Sequence, residues 1–316
     1  MHIIPPGCSY RAAAFVAAVM VMAVSGCSSV SAHRSHQTVF RDAAPAVRHL
    51  IVGVFEPDDP GSYWQVRDFA RRIGREPGLV VYYSNWGAPF AAGFARDVRR
   101  HGGRPLVQID PRGVSLTAIA DGAEDDYLRE YAEQLRAYHH PVIISFGQEM
   151  NGDWYPWGAG HVSARVFIAA WRHMVTLLRA LGATNAIWLW DVNCDYRGSL
   201  PIRDWWPGQS YVDWVGLDAY YETPQATFSS IAAPTIVAIR RFTRAPIILA
   251  ETAVGPDTHN VPAKIRNLFA GVVGDHLLGL VWFDQAQSNG IRHQDWRLEN
   301  NPAAMLTFRI EARRYR

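Results

Sequence analysis

Cysteine is scarce, with three residues in a chain of 316. Cys8 and Cys27 fall in an N-terminal leader, so the folded body holds Cys194 alone and can form no internal disulfide. Its stability must come from a large core. From Leu50 to Trp282 no Ser-, Gly- or Pro-rich stretch, charge run or internal repeat interrupts the chain, which argues against a linker and for one large domain. The net charge is only +2, with acids and bases interspersed. That leaves no basic stripe of the kind that displaces counterions from nucleic acid, so no nucleic-acid partner is expected. No Cys/His grouping has metal-ligand spacing. His139 and His140 are adjacent and diverge on any regular element, so neither metal nor cofactor is expected. With 49% hydrophobic and 19% charged residues, the composition is not that of a disordered chain.

The long apolar run lies at the N-terminus. Arg11 precedes Ala12–Val24, a stretch of signal-peptide length that is too short to span comfortably as a mature transmembrane helix. It ends in Val24-Ser25-Gly26-Cys27, which resembles a bacterial lipobox, with Cys27 as the lipid-modified first residue after cleavage. An ordinary signal peptide cut nearby is the alternative. The expected organisation is a leader over residues 1–27, a polar tether over 28–48 and one folded domain over 49–316. The resemblance implies an exported protein held to the bacterial envelope by lipid, at the outer membrane's periplasmic side or at the cell surface; a monomer is expected. Its contact with the membrane would be through the anchor only.

From Leu50 onward, short apolar runs alternate with segments of helical periodicity. The runs are Leu50–Phe55, Leu79–Tyr83, Pro105–Ile109, Pro141–Phe146, Ala186–Trp190, Val212–Leu217, Pro246–Ala250 and Leu277–Phe283. Continuous Val- and Ile-rich runs suit strands buried on both faces of a parallel sheet. Helices are expected at Tyr63–Ile73, Asp126–Tyr138, Ala164–Leu181 and Pro262–Val273. Eight such units predict an α/β fold, a single (β/α)8 TIM barrel, with an open doubly wound sheet as the alternative. Polar residues follow nearly every run, among them Glu56, Asp110, Gln148-Glu149, Asp191, Asn193, Asp218, Glu251 and Asp284. In a barrel those strand ends form the active-site face.

Glu149 ends the fourth run and Glu251 the seventh, which places them across the mouth of an eight-strand ring. Glycoside hydrolysis needs two such carboxyls, one ionised and one carrying a proton. Twelve tryptophans and thirteen tyrosines suit a sugar-binding cleft, since flat rings stack on pyranose C–H faces, although any one of them can simply fill core. Trp157 reads equally as core or platform, whereas Trp188 and Trp190 read as packing. Tyr220 and Tyr221 are neighbours, so one faces the cleft and the other packs.

The segment Phe146-Gly147-Gln148-Glu149-Met150-Asn151-Gly152-Asp153-Trp154 resembles the acid/base segment of family 26 glycoside hydrolases, the β-mannanase family of retaining barrel glycosidases. Asp213–Tyr220 resembles that family's sixth-strand motif, and Ala250-Glu251-Thr252 its nucleophile strand. The resemblance implies that Glu149 is the general acid/base and Glu251 the nucleophile, with Tyr220 bonded to Glu251. It further implies Trp154 and Trp282 as aromatic platforms and Asn193 and Asp218 as cleft-lining groups. Gln148 stands where mannanases of the family usually carry His, at a position that contacts the sugar; glutamine donates and accepts but cannot take up charge. A retaining endo-β-glycosidase acting on a polysaccharide is therefore expected. The first substrate is β-1,4-mannan, with mixed-linkage β-glucan, β-1,3-xylan or the host's own exopolysaccharide as alternatives. A barrel that binds carbohydrate without cutting it is the rival class.

Overall fold

The computed structural model describes residues 49–194, 201–287 and 294–316. The leader, the tether and Cys27 lie outside the described residues. Eight parallel strands close into a barrel in chain order: β1 (Ile51–Phe55), β2 (Leu79–Asn85), β3 (Arg104–Asp110), β4 (Val142–Phe146), β5 (Ala186–Asn193), β6 (Trp214–Tyr221), β7 (Ile247–Val254) and β8 (Gly279–Phe283). β8 pairs with β1 along its whole length, which removes the sheet edges an open sheet would leave.

Helices between the strands form the outer layer: α1 (Trp64–Ile73), α2 (Ala92–Arg100), α3 (Leu116–Ala120), α4 (Asp125–Tyr138), α5 (Ala164–Ala180), α6 (Phe228–Ile231), α7 (Ala233–Arg240), α8 (Val261–Gly274) and α9 (Pro302–Arg314). α5 shows why such segments are helical. Ser163 caps it by accepting from Val166 N, and Phe167, Trp171, Val175 and Leu178 form one buried stripe at helical spacing. Among the described residues no helix is long and apolar enough to cross a membrane.

Strands β2, β3, β5, β6 and β7 run past the apolar stretches into the polar residues that follow them. Backbone pairing does not depend on side-chain polarity, and inside a closed mouth those polar groups bond to one another. β7 also carries an extra residue: Leu249 pairs with Leu217, but Glu251 pairs with Asp218, leaving Ala250 as a bulge. A bulge re-aims the side chain after it. Here it turns Glu251 into the barrel.

Candidate active site

Alternation along the strands turns Tyr83, Gln108, Asp191, Asp218, Tyr220 and Glu251 to the barrel interior, where several of them bond to one another. Glu251 is 8% exposed. Its Oε2 accepts from the Tyr220 hydroxyl at 2.8 Å, and its Oε1 accepts from the Tyr83 hydroxyl and, at 3.3 Å, from Gln108 Nε2. Burial raises the Glu251 pKa above the usual carboxylate value, and the Tyr83, Tyr220 and Gln108 donors pull it back while Asp110 adds repulsion. Burial also pushes both phenols well above their ordinary range, so they remain donors.

Glu149 follows β4 in a tight turn and has a positive φ of 53°, which is uncommon for any residue but glycine. Gly147 shares the turn at φ 56°, and a Cβ there would press on Phe167 and Trp157 at 3.1 and 3.2 Å. The turn is anchored by the Glu149 N–H, which donates to the Asp191 carbonyl at 3.0 Å. Trp154 Nε1 donates to Glu149 Oε2 at 2.8 Å, and Asn193 Nδ2 donates to Oε1. Asn151 in turn fixes Asn193, donating to its carbonyl at 2.8 Å and accepting from its N–H at 2.9 Å.

Beside these groups lies a pocket of about 360 Å³, reached by Asn193, Asp218 and Tyr220 and walled by Glu222, Gln225 and Ser230. That size suits a small-molecule or sugar site. Trp154, 49% exposed, presents its ring at the surface next to Glu149. Tyr221 points away from the barrel interior and donates to Asn267 of α8 at 3.0 Å.

Two expected contacts are corrected. Trp282 is fully buried, packs edge-on against Phe308 of α9 at 5.1 Å and donates to the Trp296 carbonyl at 3.1 Å, so it is core and not a platform. Phe283, its neighbour, takes the inward position and stacks on Phe55 at 4.8 Å. Gln148 is 1% exposed and donates to Asp110 Oδ1 at 2.7 Å, so it is turned from the cleft surface onto a strand-end carboxyl. Trp157 resolves as core, with Tyr155 stacked on it at 4.4 Å. Trp188 and Trp190 are buried, against Trp171 at 6.2 Å and Trp206 at 5.1 Å respectively. The other strand-end acids form a separate pair where β8 meets β1. Burial and the facing Asp284 push Glu56 up to about 10, and burial pushes Asp284 to about 7.

Tyr83 and Gln108 were not legible as site residues. Gln108 did carry a signal, since a lone amide inside the buried run Pro105–Ile109 must point at a polar partner.

Comparison with known proteins places the site in a family. The model of glycosyl hydrolase family 26 matches residues 118–254, a span that contains both glutamates. Endoglucanase H of Acetivibrio thermocellus is 29% identical over 277 residues, covering 82% of this chain and 30% of that protein. A mannan endo-1,4-beta-mannosidase of Bacillus subtilis is 30% identical over 156 residues, covering 46% and 36%. The chain thus spans about a third of the length of the curated relatives it matches. Among solved structures, the catalytic domain of a Bacillus sp. JAMB-750 endo-beta-1,4-mannanase shares the fold, with TM-score 0.64, 18% identity and coverage of 85% and 87%. The family match lies on the strands that carry Glu149 and Glu251, inside a closed eight-stranded barrel, and supports membership of glycosyl hydrolase family 26.

Proposed function

We propose that this protein is a retaining endo-β-glycosidase that cleaves a β-linked polysaccharide by double displacement. The observation that carries the reading is the unequal treatment of two glutamates at one barrel mouth. Glu251 receives two phenol hydroxyls and an amide, donors that favour its ionised form, as a nucleophile requires. Glu149 sits beside an exposed indole at the open face and serves as the acid/base. Its proton goes to the departing glycosidic oxygen as Glu251 attacks the anomeric carbon. In the second step Glu149 takes a proton from water, which displaces Glu251.

β-1,4-Mannan is the first substrate, supported by the resemblance to a mannan endo-1,4-beta-mannosidase. A β-glucan is the second, supported by the endoglucanase match over 82% of the chain and by glutamine at position 148. Trp154 is the sugar platform in this reading. Export and lipid attachment at Cys27 belong to the same proposal and rest on the leader sequence alone.

The test separates the roles. Glu251→Ala should be inactive on every substrate, because attack is needed whatever the leaving group. Glu149→Ala should still form the glycosyl-enzyme from an activated aryl glycoside, since proton donation matters least for a good leaving group. It should then stall until azide, which needs no base, releases a β-glycosyl azide. An inverted α-azide from Glu149→Ala would reverse the assignment, and full activity of either variant on polysaccharide would refute it.

A further inference from the structure

Beside Glu251 two more carboxyls lie inside the barrel. Asp191 of β5 is 0% exposed and Asp218 of β6 is 1% exposed. Asp191 leans over Gly216, its pairing partner on β6, where a Cβ would collide with Asp191 Oδ1. That brings its carboxyl within hydrogen-bonding reach of Asp218. Gln108 Nε2 has two hydrogens and two acceptors, Asp191 Oδ2 at 3.1 Å and Glu251 Oε1 at 3.3 Å. Among the described residues, no N–H or hydroxyl donor reaches Asp191 Oδ1 or either oxygen of Asp218.

Among the described residues, the groups facing the pair supply no compensating charge. Of those residues they are Glu251 from β7, Glu149 and Tyr155 from the segment after β4, Cys194 just after β5, and Tyr220 of β6. Among the described residues, the one ion pair at this mouth is Arg112 with Asp110, at 3.7 Å. Ionised carboxylates only accept and repel one another, so an adjacent buried pair without cation or donor closes only around a proton.

We propose that Asp191 and Asp218 share one proton and, with Gln108, act as positioning residues that hold Glu251 in place and limit the charge behind it. The role assigned to the pair rests on Glu251 being the nucleophile; the shared proton does not. Asp218 carries the proton and donates it to Asp191, which stays ionised and orients the Gln108 amide; the second hydrogen of that amide then falls on Glu251. Burial pushes both aspartates well above the ordinary carboxylate range, helped at Asp191 by repulsion from Glu251 and at Asp218 by repulsion from Asp191 and Glu251. The hydrogen bond to Asp218 pulls Asp191 back, in agreement with one proton held at neutral pH on Asp218. Loss of that proton would place a second negative charge behind the nucleophile.

The decisive variants are Asp218→Asn and Asp218→Ala. Asparagine keeps a donor toward Asp191 and adds no charge, whereas alanine leaves Asp191 without one. Infrared spectra at pH 7, taken in a Glu149→Gln background so that the acid/base contributes nothing, should show a carboxylic-acid C=O band that disappears in Asp218→Asn. Acid absorption from Glu56, Asp59 and Asp284, all raised by burial, should persist unchanged in that variant. With Glu149 intact, Asp218→Asn should be about tenfold or more faster than Asp218→Ala in kcat/KM, the difference expected for a buried acceptor left unpaired. Its alkaline limb should also move to higher pH than that of the parent, because it has no shared proton to lose.

An unchanged acid band in Asp218→Asn would overturn the proposal, as would asparagine and alanine variants of equal activity. Should alanine prevent folding, the Asp218→Asn spectrum still decides. The spectrum also reads the shared proton in a protein that hydrolyses nothing, so failure of the glycosidase reading and failure of this one are separable.

Discussion

Tyr220→Phe isolates the contribution of one hydrogen bond to Glu251. The ring would stay in place, since it packs edge-on to Phe283 at 6.0 Å and beside Trp296 at 5.0 Å. What is lost is the 2.8 Å donor to Glu251 Oε2. A hydrogen bond to a charged group contributes about 1.5–3 kcal/mol, which predicts a fall in kcat/KM of roughly ten- to 150-fold. The pH profile should move as well. Glu251 already stands above the usual carboxylate value because of burial, and the phenol opposes that shift by favouring the ionised form. Activity is present above the Glu251 pKa and lost as pH falls through it. Removing the donor raises that pKa further, so the acid limb should move to higher pH, by about one to two units for the same energy. The assay is kcat/KM from pH 4 to 9 on a soluble oligosaccharide, with Tyr221→Phe as control. That hydroxyl bonds Asn267 on the outer layer, so its loss should lower stability by about 0.5–1.5 kcal/mol and leave the limb where it is. An unmoved acid limb in Tyr220→Phe, or an equal shift in Tyr221→Phe, would refute the reasoning.

The remaining predictions separate core from cleft and test the leader. Trp282→Ala should cost about 3–5 kcal/mol in urea unfolding, because a buried ring against Phe308 is removed, while KM of the folded fraction stays near the parent value. A large KM rise with little loss of stability would restore Trp282 as a sugar platform. Cys27→Ser should abolish labelling by a fatty-acid probe and release the protein from membranes, whereas Cys194→Ser should do neither; continued membrane association of the Cys27 variant would remove the lipid anchor from the account.

The barrel was legible because each strand is buried on both faces and so reads as an apolar run, and because eight such runs alternate with helical segments. The predicted strand starts fall within two residues of those observed. The strand ends were read too short wherever a polar side chain enters the mouth, as at Asp191 and Asp218. There the ladder continues, and the side chains find partners across the ring. Facing was harder. Alternation says that Trp282 and Phe283 point to opposite sides, but not which of them points inward; closure against β1 and the packing of α9 decide that. On β7 alternation itself fails, because the bulge at Ala250 resets the phase before Glu251. Any reading of β7 by period two from its apolar start would have turned Glu251 outward.

The sugar is least legible for a related reason. The pocket beside the glutamates is walled by Glu222, Gln225 and Ser230, which follow β6 in a connection with no periodicity to place them. Trp154, the exposed ring beside Glu149, is held by its own indole N–H on that carboxylate, so its position follows the turn and not the substrate. Gln148, the position where the sequence departs from the mannanase pattern, turns out to act on Asp110. Asp110 is one of the charges that raise Glu251. A neutral residue at 148 therefore bears on Glu251 through a carboxyl it holds.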